Sequence, residues 1–194
     1  RVARDLLNAI SGLGTGVGYP EYARAVFDSY AARFEQHLTQ TLEYRVPERL
    51  PSLLQALDGD NAWYERALDL GCGTGLVGSQ IRGFCSHLTG VDVSAAMVER
   101  AEGKAVYDDL VVEDVLGWLK KQERDFDLLL CIDVLLYLGK LESFMTEAAR
   151  RMAPGARLIF TTEQQADRDL VLRPTGRYAH SAAYVQRCIE AAGL

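Results

Sequence analysis

The stretch Ala67-Leu68-Asp69-Leu70-Gly71-Cys72-Gly73-Thr74-Gly75-Leu76-Val77-Gly78 carries the strongest structural signal in the chain. An apolar strand runs directly into alternating glycines, and a segment with helical spacing follows. Glycine permits backbone conformations with positive φ and lets a ligand approach the main chain closely. The free N–H groups at the start of the following helix then point towards that ligand. We therefore predict a cofactor-binding loop between a strand and a helix.

Two glycine patterns overlap in this loop. From Gly73 onward it reads G-T-G-L-V-G, which satisfies the dinucleotide-binding fingerprint G-x-G-x-x-G. From Asp69 onward it reads D-L-G-C-G-T-G, with an acid two residues before the first glycine. A carboxylate near the end of a buried strand is costly without a partner, and it would repel a pyrophosphate. The second pattern covers more residues, and we therefore prefer it.

Composition and charge narrow the class of protein. The chain has 194 residues, of which 48% are hydrophobic and 25% charged, an ordinary balance for one globular domain. A net charge of -6 and a pI near 5.1 disfavour nucleic acid as the main partner. The longest apolar run, 128–138, is interrupted by Asp133 and is too short to span a membrane. No signal peptide opens the chain, so we expect a cytoplasmic protein without a membrane partner.

The cysteines and histidines do not form a metal-binding pattern. Cys72, Cys85, Cys131 and Cys188 contain no C-x-x-C pair, so neither a disulfide framework nor a zinc site is indicated. No group of histidines and carboxylates has the spacing of metal ligands. We expect no metal and a reducing compartment.

Strand and helix patterns alternate after the glycine loop. The predicted strands are 67–71, 87–93, 109–114, 126–134 and 157–162, with a helical pattern between each pair. The fourth is apolar on both faces, as a central parallel strand should be. This alternation predicts an α/β, Rossmann-like, doubly wound fold with a mostly parallel sheet and helices on both faces.

The D-L-G-C-G-T-G segment resembles the first motif of class I S-adenosylmethionine-dependent methyltransferases. The likeness extends from about Tyr22 to the end of the chain. It implies that Asp69 holds the cationic amino end of the methionyl moiety, usually through water. It also implies that Asp92, ending the second strand, accepts the ribose hydroxyls, although an acid there is equally expected in a NAD-binding protein.

Further acids follow the third and fourth strands. The resemblance implies that Asp114 accepts a hydrogen bond from the adenine amino group, with the backbone of Val115 beside it. Asp114 is equally suited to cap the next helix. The resemblance places the Cys131 carbonyl near the methionyl amine and Asp133 towards the acceptor. The residues expected to bind the cofactor are Asp69, Gly71, Cys72, Gly73, Gly75, Asp92, Val93, Met97, Asp114, Val115, Cys131, Tyr30 and Tyr44.

The N-terminal third is predicted to be helical and to precede the core. Residues 1–18 comprise a short helix and a glycine-rich linker. Residues 19–66 resemble the helical lid that this family commonly places over the cofactor, and the core is expected to occupy 67–194. For Tyr30 and Tyr44, we expect a role in packing ahead of contact with the ligand. The chain opens with Arg1 rather than Met, which predicts further residues upstream.

A narrower likeness and one departure also emerge. The sequences F-D-S-Y-A, L-E-Y-R-V-P and R-P-T-G-R-Y-A-H-S resemble predicted small bacterial methyltransferases that are often linked to tetratricopeptide repeats. The family sheet ends in an antiparallel hairpin. Here the chain stops at the end of the helix predicted over 181–192, so we expect that hairpin to be missing.

The implied chemistry is in-line methyl transfer, which needs a base only when the acceptor is protonated. Candidate bases are His37, Asp133 and His180, with Tyr137 and Tyr178 as weaker ones. The fourth strand lacks the Asn/Asp-Pro-Pro-Tyr motif of amino-methylating enzymes, and the Pro-Cys nucleophile of cytosine-C5 enzymes is also absent. A small-molecule acceptor is therefore expected first and a protein side chain second.

Two other functions stay open at this stage. The chain could be a NAD(P)-binding oxidoreductase, against which stand Asp69 and the lack of a Tyr-x-x-x-Lys pair. It could also be a non-catalytic S-adenosylmethionine-binding sensor or assembly module, because no catalytic base is evident. Cofactor binding separates the first alternative from a methyltransferase, and turnover separates the second.

Overall fold

Strands and helices alternate along most of the chain in the computed structural model, which describes residues 20–31, 34–36 and 44–194. The strands are β1 (Tyr64–Leu70), β2 (Cys85–Asp92), β3 (Asp109–Val112), β4 (Phe126–Cys131), β5 (Met152–Phe160), β6 (Glu163–Gln164), β7 (Leu170–Leu172) and β8 (Tyr178–His180). The helices are α1 (Pro20–Tyr30), α2 (Phe34–Gln36), α3 (Val46–Asp58), α4 (Leu76–Ile81), α5 (Ala95–Glu102), α6 (Val115–Lys121), α7 (Leu135–Leu138), α8 (Glu142–Arg150) and α9 (Ala182–Ala191). None of these helices is long and apolar enough to cross a membrane.

The main sheet has five parallel strands in the order β3-β2-β1-β4-β5. The predicted Rossmann-like sheet is thus confirmed. Strand β1 lies at the centre, and Asp69 stands in register with Gly90 of β2 and Leu130 of β4. Because the strands are parallel, their carboxyl ends meet at one edge, where ligands of open α/β sheets bind. We call this the carboxyl edge.

Helices cover both faces of the sheet, and the side chains of β4 pack against helices on each face. Leu128 and Leu130 face a core formed with α3 and α4, whereas Leu129 and Cys131 face a second core formed with α6, α8 and α9. All four side chains are fully buried. Each buried leucine contributes about 1.5–3 kcal/mol to stability. The prediction that β4 is a central strand buried on both faces is confirmed.

Some strand boundaries differ from the prediction for local reasons. Strand β1 begins at Tyr64, which pairs with Cys85 and donates its hydroxyl to Asp58 at 2.6 Å. Strand β4 ends at Cys131, before the predicted Val134, because Asp133 adopts a left-handed conformation with φ 58°. Strand β5 starts at Met152 rather than Arg157, and its pairing with β4 contains an irregularity.

A second, small sheet lies between β5 and α9 and was not predicted. Its order is β6-β8-β7, and β7 and β8 are antiparallel. Within the described residues, β5 is the last strand of the main sheet, and the family's hairpin is not added to it. Helix α9 begins after Ser181, whose Oγ accepts from the Tyr184 N–H at 3.2 Å, as the predicted helix over 181–192 requires.

The predicted lid of residues 19–66 consists of two different parts. Helix α1 reaches the turn after β2 at the carboxyl edge, where Arg24 bonds Val93. Helix α3 instead packs against the sheet, with Leu50 and Leu54 buried in the core shared with α4. We therefore restrict the lid proposal to the residues before Val46. The predicted helix and linker over 1–18 lie outside the described residues.

Candidate functional site

The glycine loop between β1 and α4 has a left-handed backbone. Gly71, Gly73 and Gly75 have φ values of 76°, 52° and 85°. The N–H of Gly71 donates to the Val91 carbonyl at 2.7 Å, which ties the loop to β2. A Cβ on Gly71 would lie 2.1 Å from Cγ2 of Val134, so no side chain fits there. The loop therefore presents its main chain at the carboxyl edge.

Asp92 joins this loop to the turn after β2. Its carboxylate is 8% exposed, and Oδ2 accepts from the Gly73 N–H at 2.9 Å. Oδ1 accepts from the Ser94 N–H at 2.8 Å. Burial raises the pKa of Asp92, while these backbone donors oppose that rise. A carboxylate oxygen can accept two hydrogen bonds, so Asp92 keeps acceptor capacity for ligand hydroxyls.

Asp69 lies beneath the loop. It is 1% exposed, and its Oδ2 accepts from the Tyr107 hydroxyl at 2.7 Å. The backbone of Gly78 also favours the ionised form of its carboxylate. Burial raises the pKa of Asp69 to about 7, and the nearby charge of Asp92 adds to the rise, whereas the Tyr107 hydroxyl lowers it. Asp69 therefore has protein partners of its own, as a buried carboxylate requires.

Tyr107 is a site residue that the sequence analysis missed. Its ring fills the space beside three glycines: a Cβ on Gly75, Gly78 or Gly90 would lie 3.1, 2.3 or 2.9 Å from the ring. Gly78 is the residue that completes the pattern G-T-G-L-V-G. Packing against Tyr107 thus explains why residue 78 is a glycine, and no bound dinucleotide is needed to explain it. In the sequence, the only sign of this packing is that positions 75, 78 and 90 are all glycine.

The acid after β3 caps a helix. Oδ2 of Asp114 accepts from the Gly117 N–H at 2.7 Å, so this side chain fills the N-cap position of α6. Val115, the first residue of α6, is buried. Met97 is buried in α5, whose N-cap is Ser94 as predicted. Oδ1 of Asp114 takes no part in this cap.

Helix α1 is fastened to the turn after β2 by two polar contacts. Arg24 Nε donates to the Val93 carbonyl at 3.2 Å. The Ser94 hydroxyl donates to Oδ1 of Asp28 at 2.5 Å. Residues four apart lie on one face of a helix, so Arg24 and Asp28 both face the sheet edge. The helix therefore lies beside Asp92, the acid expected to bind ribose.

An aromatic cluster links α1 to the other side of the carboxyl edge. The Phe27 ring packs edge-on against Phe34 and Tyr137, with centroids 6.0 and 5.3 Å apart. A Cε1 atom of Phe34 lies 3.8 Å from the position of a Cβ on Gly73. The cluster therefore reaches from the glycine loop to α7. Tyr137, a candidate base, belongs to this cluster through its ring.

Asp133, Tyr44 and Thr161 meet at the end of β4. The Asp133 N–H donates to Thr161 Oγ1 at 2.7 Å, and the Thr161 hydroxyl donates back to Oδ1 at 2.9 Å. The Tyr44 hydroxyl donates to the Asp133 carboxylate, and burial together with this acid raises the pKa of Tyr44. Asp133 is exposed. Two predicted site residues, one for the cofactor and one for the acceptor, are thus neighbours.

The other candidates have different surroundings. His180 is 1% exposed, its Nε2 bonds the Gly139 carbonyl at 2.7 Å, and its ring stacks on Tyr184. Burial lowers the pKa of His180, which keeps the ring neutral. It is enclosed by protein rather than open to an acceptor, so its proposed catalytic role is not supported by its position. Tyr178 is also buried.

Some predicted residues play a structural part or lie outside the described residues. Burial raises the pKa of both the Cys72 and Cys131 thiols, so they are neutral and unsuited as nucleophiles. The backbone of Tyr30 ends α1, but its side chain is not among the described ones. His37 lies outside the described residues.

The acids occur in strand order along the carboxyl edge. Because the sheet order is β3-β2-β1-β4, the sequence of acids across the edge is Asp114, Asp92, Asp69 and Asp133. The charge of Asp92 raises the pKa of Asp69, and the charge of Asp69 raises the pKa of Cys131 and Tyr44, so these groups lie close together at the middle of the edge. Such an edge favours a ligand that carries positive charge and hydroxyl groups.

Known proteins share both the sequence pattern and the fold. Residues 68–160 match the family described as a methyltransferase domain. A ubiquinone biosynthesis O-methyltransferase of Alkalilimnicola ehrlichii is 30% identical over 147 residues, or 71% of this chain and 58% of the relative. One from Maricaulis maris is 29% identical over 115 residues, or 57% of this chain and 45% of the relative. The chain thus spans about half the length of these curated relatives.

A solved structure extends the likeness in fold. The magnesium protoporphyrin IX methyltransferase of Synechocystis PCC 6803, solved with bound S-adenosylmethionine, has a TM-score of 0.68 at 18% identity. The likeness covers 90% of this chain and 85% of that one. At this identity the comparison concerns the fold alone, and it agrees with the five-stranded parallel sheet.

Proposed function

We propose that this chain, whose residues 68–160 match the family described as a methyltransferase domain, transfers a methyl group from S-adenosylmethionine to a small molecule. The observation that carries the proposal is the bond between the Asp92 carboxylate and the Gly73 N–H at 2.9 Å. It joins an acid suited to ribose hydroxyls to a loop whose glycines have left-handed backbones. Both features lie at the carboxyl edge, where a nucleoside would enter.

The side chains along this edge fit such a cofactor. Asp92 would hold the ribose, Asp114 and the backbone of Val115 would hold the adenine, and Asp69 with Cys131 would lie near the methionyl end. Negative charge there suits a ligand with a sulfonium and an ammonium group. When bound, S-adenosylmethionine supplies a methyl group already activated for transfer. The chain's own contribution is binding, alignment and exclusion of water.

The same features weigh against a nicotinamide cofactor. The buried carboxylate of Asp69 lies in β1 two residues before Gly71, and its ionised form would repel a pyrophosphate at the glycine loop. Gly78, the residue that completes the dinucleotide fingerprint, packs against Tyr107. The apparent fingerprint is therefore explained by packing. A non-catalytic S-adenosylmethionine-binding module would share every one of these contacts, and turnover is what separates it from an enzyme.

We infer a small-molecule acceptor, with a protein side chain as the second possibility. The relatives named above are a ubiquinone biosynthesis O-methyltransferase and a magnesium protoporphyrin IX methyltransferase, whose names specify small molecules. Asp133 and Tyr44 form a hydrogen-bonding pair at the end of β4, beside the strand that carries Asp69. An acceptor bearing an O–H or N–H group would find an acceptor oxygen there. If its proton must be removed, Asp133 is the exposed acid available.

Two finer statements remain proposals. The segments F-D-S-Y-A, L-E-Y-R-V-P and R-P-T-G-R-Y-A-H-S support a place among small bacterial methyltransferases linked to tetratricopeptide repeats. Coding sequence upstream of Arg1 with helical repeats of about 34 residues would test this link. The cysteines at 72, 85, 131 and 188 are free and buried, which supports a reducing, cytoplasmic compartment.

Calorimetric titration with S-adenosylhomocysteine tests the proposed function, with NADH and NADPH titrated in parallel. We expect micromolar binding of S-adenosylhomocysteine and no binding of either nicotinamide. Binding of a nicotinamide instead would contradict the proposal. A screen of phenols, amines and carboxylic acids with methyl-labelled S-adenosylmethionine then separates an enzyme from a binding module. Absence of transfer to any small molecule, together with transfer to protein, would favour the second acceptor class.

A further inference from the structure

Tyr107 supports the glycine loop from below. The residue follows α5 and precedes β3, and Ala105 just before it has a positive φ of 51°. The Tyr107 ring lies against Gly75 and Gly78, so it contacts the loop and the first turn of α4 together. The Tyr107 hydroxyl donates to Oδ2 of Asp69 at 2.7 Å. One side chain thus holds both the backbone of the loop and the buried acid.

The charged surroundings of Asp69 are almost entirely acidic. Asp92 acts on it from the end of β2, and both Asp69 and Asp133 raise the pKa of Tyr44. The thiols of Cys72 and Cys131 are neutral neighbours from the loop and from β4. Within the described residues, the groups that favour the ionised form of Asp69 are the Tyr107 hydroxyl and the backbone of Gly78. Hydrogen bonding to the charged form favours ionisation.

We infer that Tyr107 is a positioning residue for the cofactor, which keeps Asp69 ionised and the glycine loop in its binding conformation. The inference rests on the proposed function, since it concerns the binding of a ligand with a cationic amino group. Tyr107 does not touch that ligand. It acts through Asp69 and through the backbone of Gly75 and Gly78.

The Tyr107→Phe variant separates the hydroxyl from the ring. The ring is retained, so packing against the glycines is preserved, while Asp69 loses its phenolic donor. Since burial already raises the pKa of Asp69 to about 7, loss of this donor raises the pKa further. We expect S-adenosylhomocysteine to bind about fivefold more weakly at pH 7, because a rise of one pKa unit lowers the ionised fraction of Asp69 from about one half to about one tenth.

The pH dependence of binding distinguishes positioning from simple structural support. In the wild type, affinity for the amino-bearing ligand should increase with pH as Asp69 ionises near pH 7. In Tyr107→Phe, the midpoint of this increase should move to higher pH, measured by calorimetry from about pH 5.5 to about pH 8.5. A purely structural role would reduce affinity equally at every pH. Asp69→Asn should abolish the pH-dependent part.

Tyr64→Phe is a matched control on the same strand as Asp69. Tyr64 is also buried, and its hydroxyl also donates to an aspartate, Asp58, at 2.6 Å. It lies at the amino end of β1, away from the loop. We expect this variant to lose a similar amount of stability in urea denaturation while its affinity and pH midpoint remain those of the wild type.

The outcomes are distinguishable. Wild-type chain that binds no S-adenosylhomocysteine would overturn the proposed function, and the inference with it. Wild-type binding together with an unchanged pH midpoint in a folded Tyr107→Phe would overturn the inference alone. If Tyr107→Phe does not fold, the carboxyl resonance of Asp69 in the wild type and Asp69→Asn provides the test. A midpoint below about pH 5 would then show that Asp69 does not titrate in the binding range.

Discussion

The hydroxyl of Ser94 donates to the carboxylate of Asp28 across 2.5 Å, which fastens α1 to the turn that follows Asp92. Ser94 also caps α5 and lies beside an acid that binds the glycine loop. The attachment of α1, the proposed lid helix, and the geometry around Asp92, the acid proposed to bind ribose, therefore share one residue.

Asp28→Ala should loosen α1 with little effect on the sheet. Its hydrogen bond to Ser94 contributes about 1 kcal/mol, and Asp28 itself is exposed. We expect faster dissociation of S-adenosylhomocysteine in stopped-flow experiments and increased hydrogen exchange in α1. Glu48→Ala, an exposed acid on α3, is the control. Equal dissociation rates in the variant and the wild type would show that α1 does not cover the ligand.

Asp92→Ala should weaken cofactor binding. The substitution removes the acceptor proposed for ribose and leaves the Gly73 N–H without its partner. We expect a loss of roughly 1–3 kcal/mol in the calorimetric binding free energy of S-adenosylhomocysteine. Asp127 provides a control, because its carboxylate accepts two backbone N–H groups at the other end of β1. Asp127→Ala should reduce stability and leave affinity unchanged; equal losses of affinity would contradict the assignment.

Gly73→Val should abolish binding while the chain still folds. The nearest described atom to a Cβ there is a Phe34 ring carbon at 3.8 Å, so the side chain would enter the ligand space. The left-handed backbone adds a strain of about 1–2 kcal/mol. Gly83→Val, at a position open to solvent, serves as the control. Normal binding by a folded Gly73→Val variant would show that the ligand does not approach this loop.

Asp69 should make the stability of the ligand-free protein fall with increasing pH. Burial raises the pKa of Asp69 to about 7, above its ordinary value, so the folded state binds this proton more tightly than the unfolded state. The stability that Asp69 contributes is therefore present at low pH and lost as pH rises from about 4 to about 7. In urea denaturation, the free energy of wild type minus Asp69→Asn should decrease across this range. A constant difference would contradict the assignment.

Asp133→Asn should separate cofactor binding from transfer. Asparagine tolerates the left-handed backbone at this position and still accepts from Thr161. We expect unchanged affinity for S-adenosylhomocysteine and turnover reduced at least about tenfold with an acceptor found in the screen. Unchanged turnover would show that Asp133 does not act on the acceptor. Reduced affinity for S-adenosylhomocysteine would show that Asp133 contributes to cofactor binding instead.

Much of the fold could be predicted because its signals are local. The pattern from Ala67 to Gly78 contains a strand, a loop and a helix start within one short segment. The cap at Ser94 and the apolar strand Phe126–Cys131 are likewise legible from adjacent residues. Their alternation predicts a parallel sheet, whereas the order of its strands is known only from the structure.

The parts that were missed depend on contacts between distant segments. Tyr107 gains its role only when β1, α4 and β2 come together around it, and nothing next to it in the sequence indicates this. Strands β6 and β7 are short and gain their pairing from β8. The burial of His180 depends on Gly139 and Tyr184, which lie on other elements.

The close fit of the Tyr107 ring to Gly78 and Gly90 has an evolutionary consequence. The two glycines and the ring occupy one fixed volume, so the residue sizes at these positions are linked across related chains. A relative with a small residue in place of Tyr107 gains room for alanine at Gly78 and Gly90. Alignments should therefore show inverse variation of size at these sites, and a glycine fingerprint can record the volume of an aromatic neighbour rather than the identity of a nucleotide.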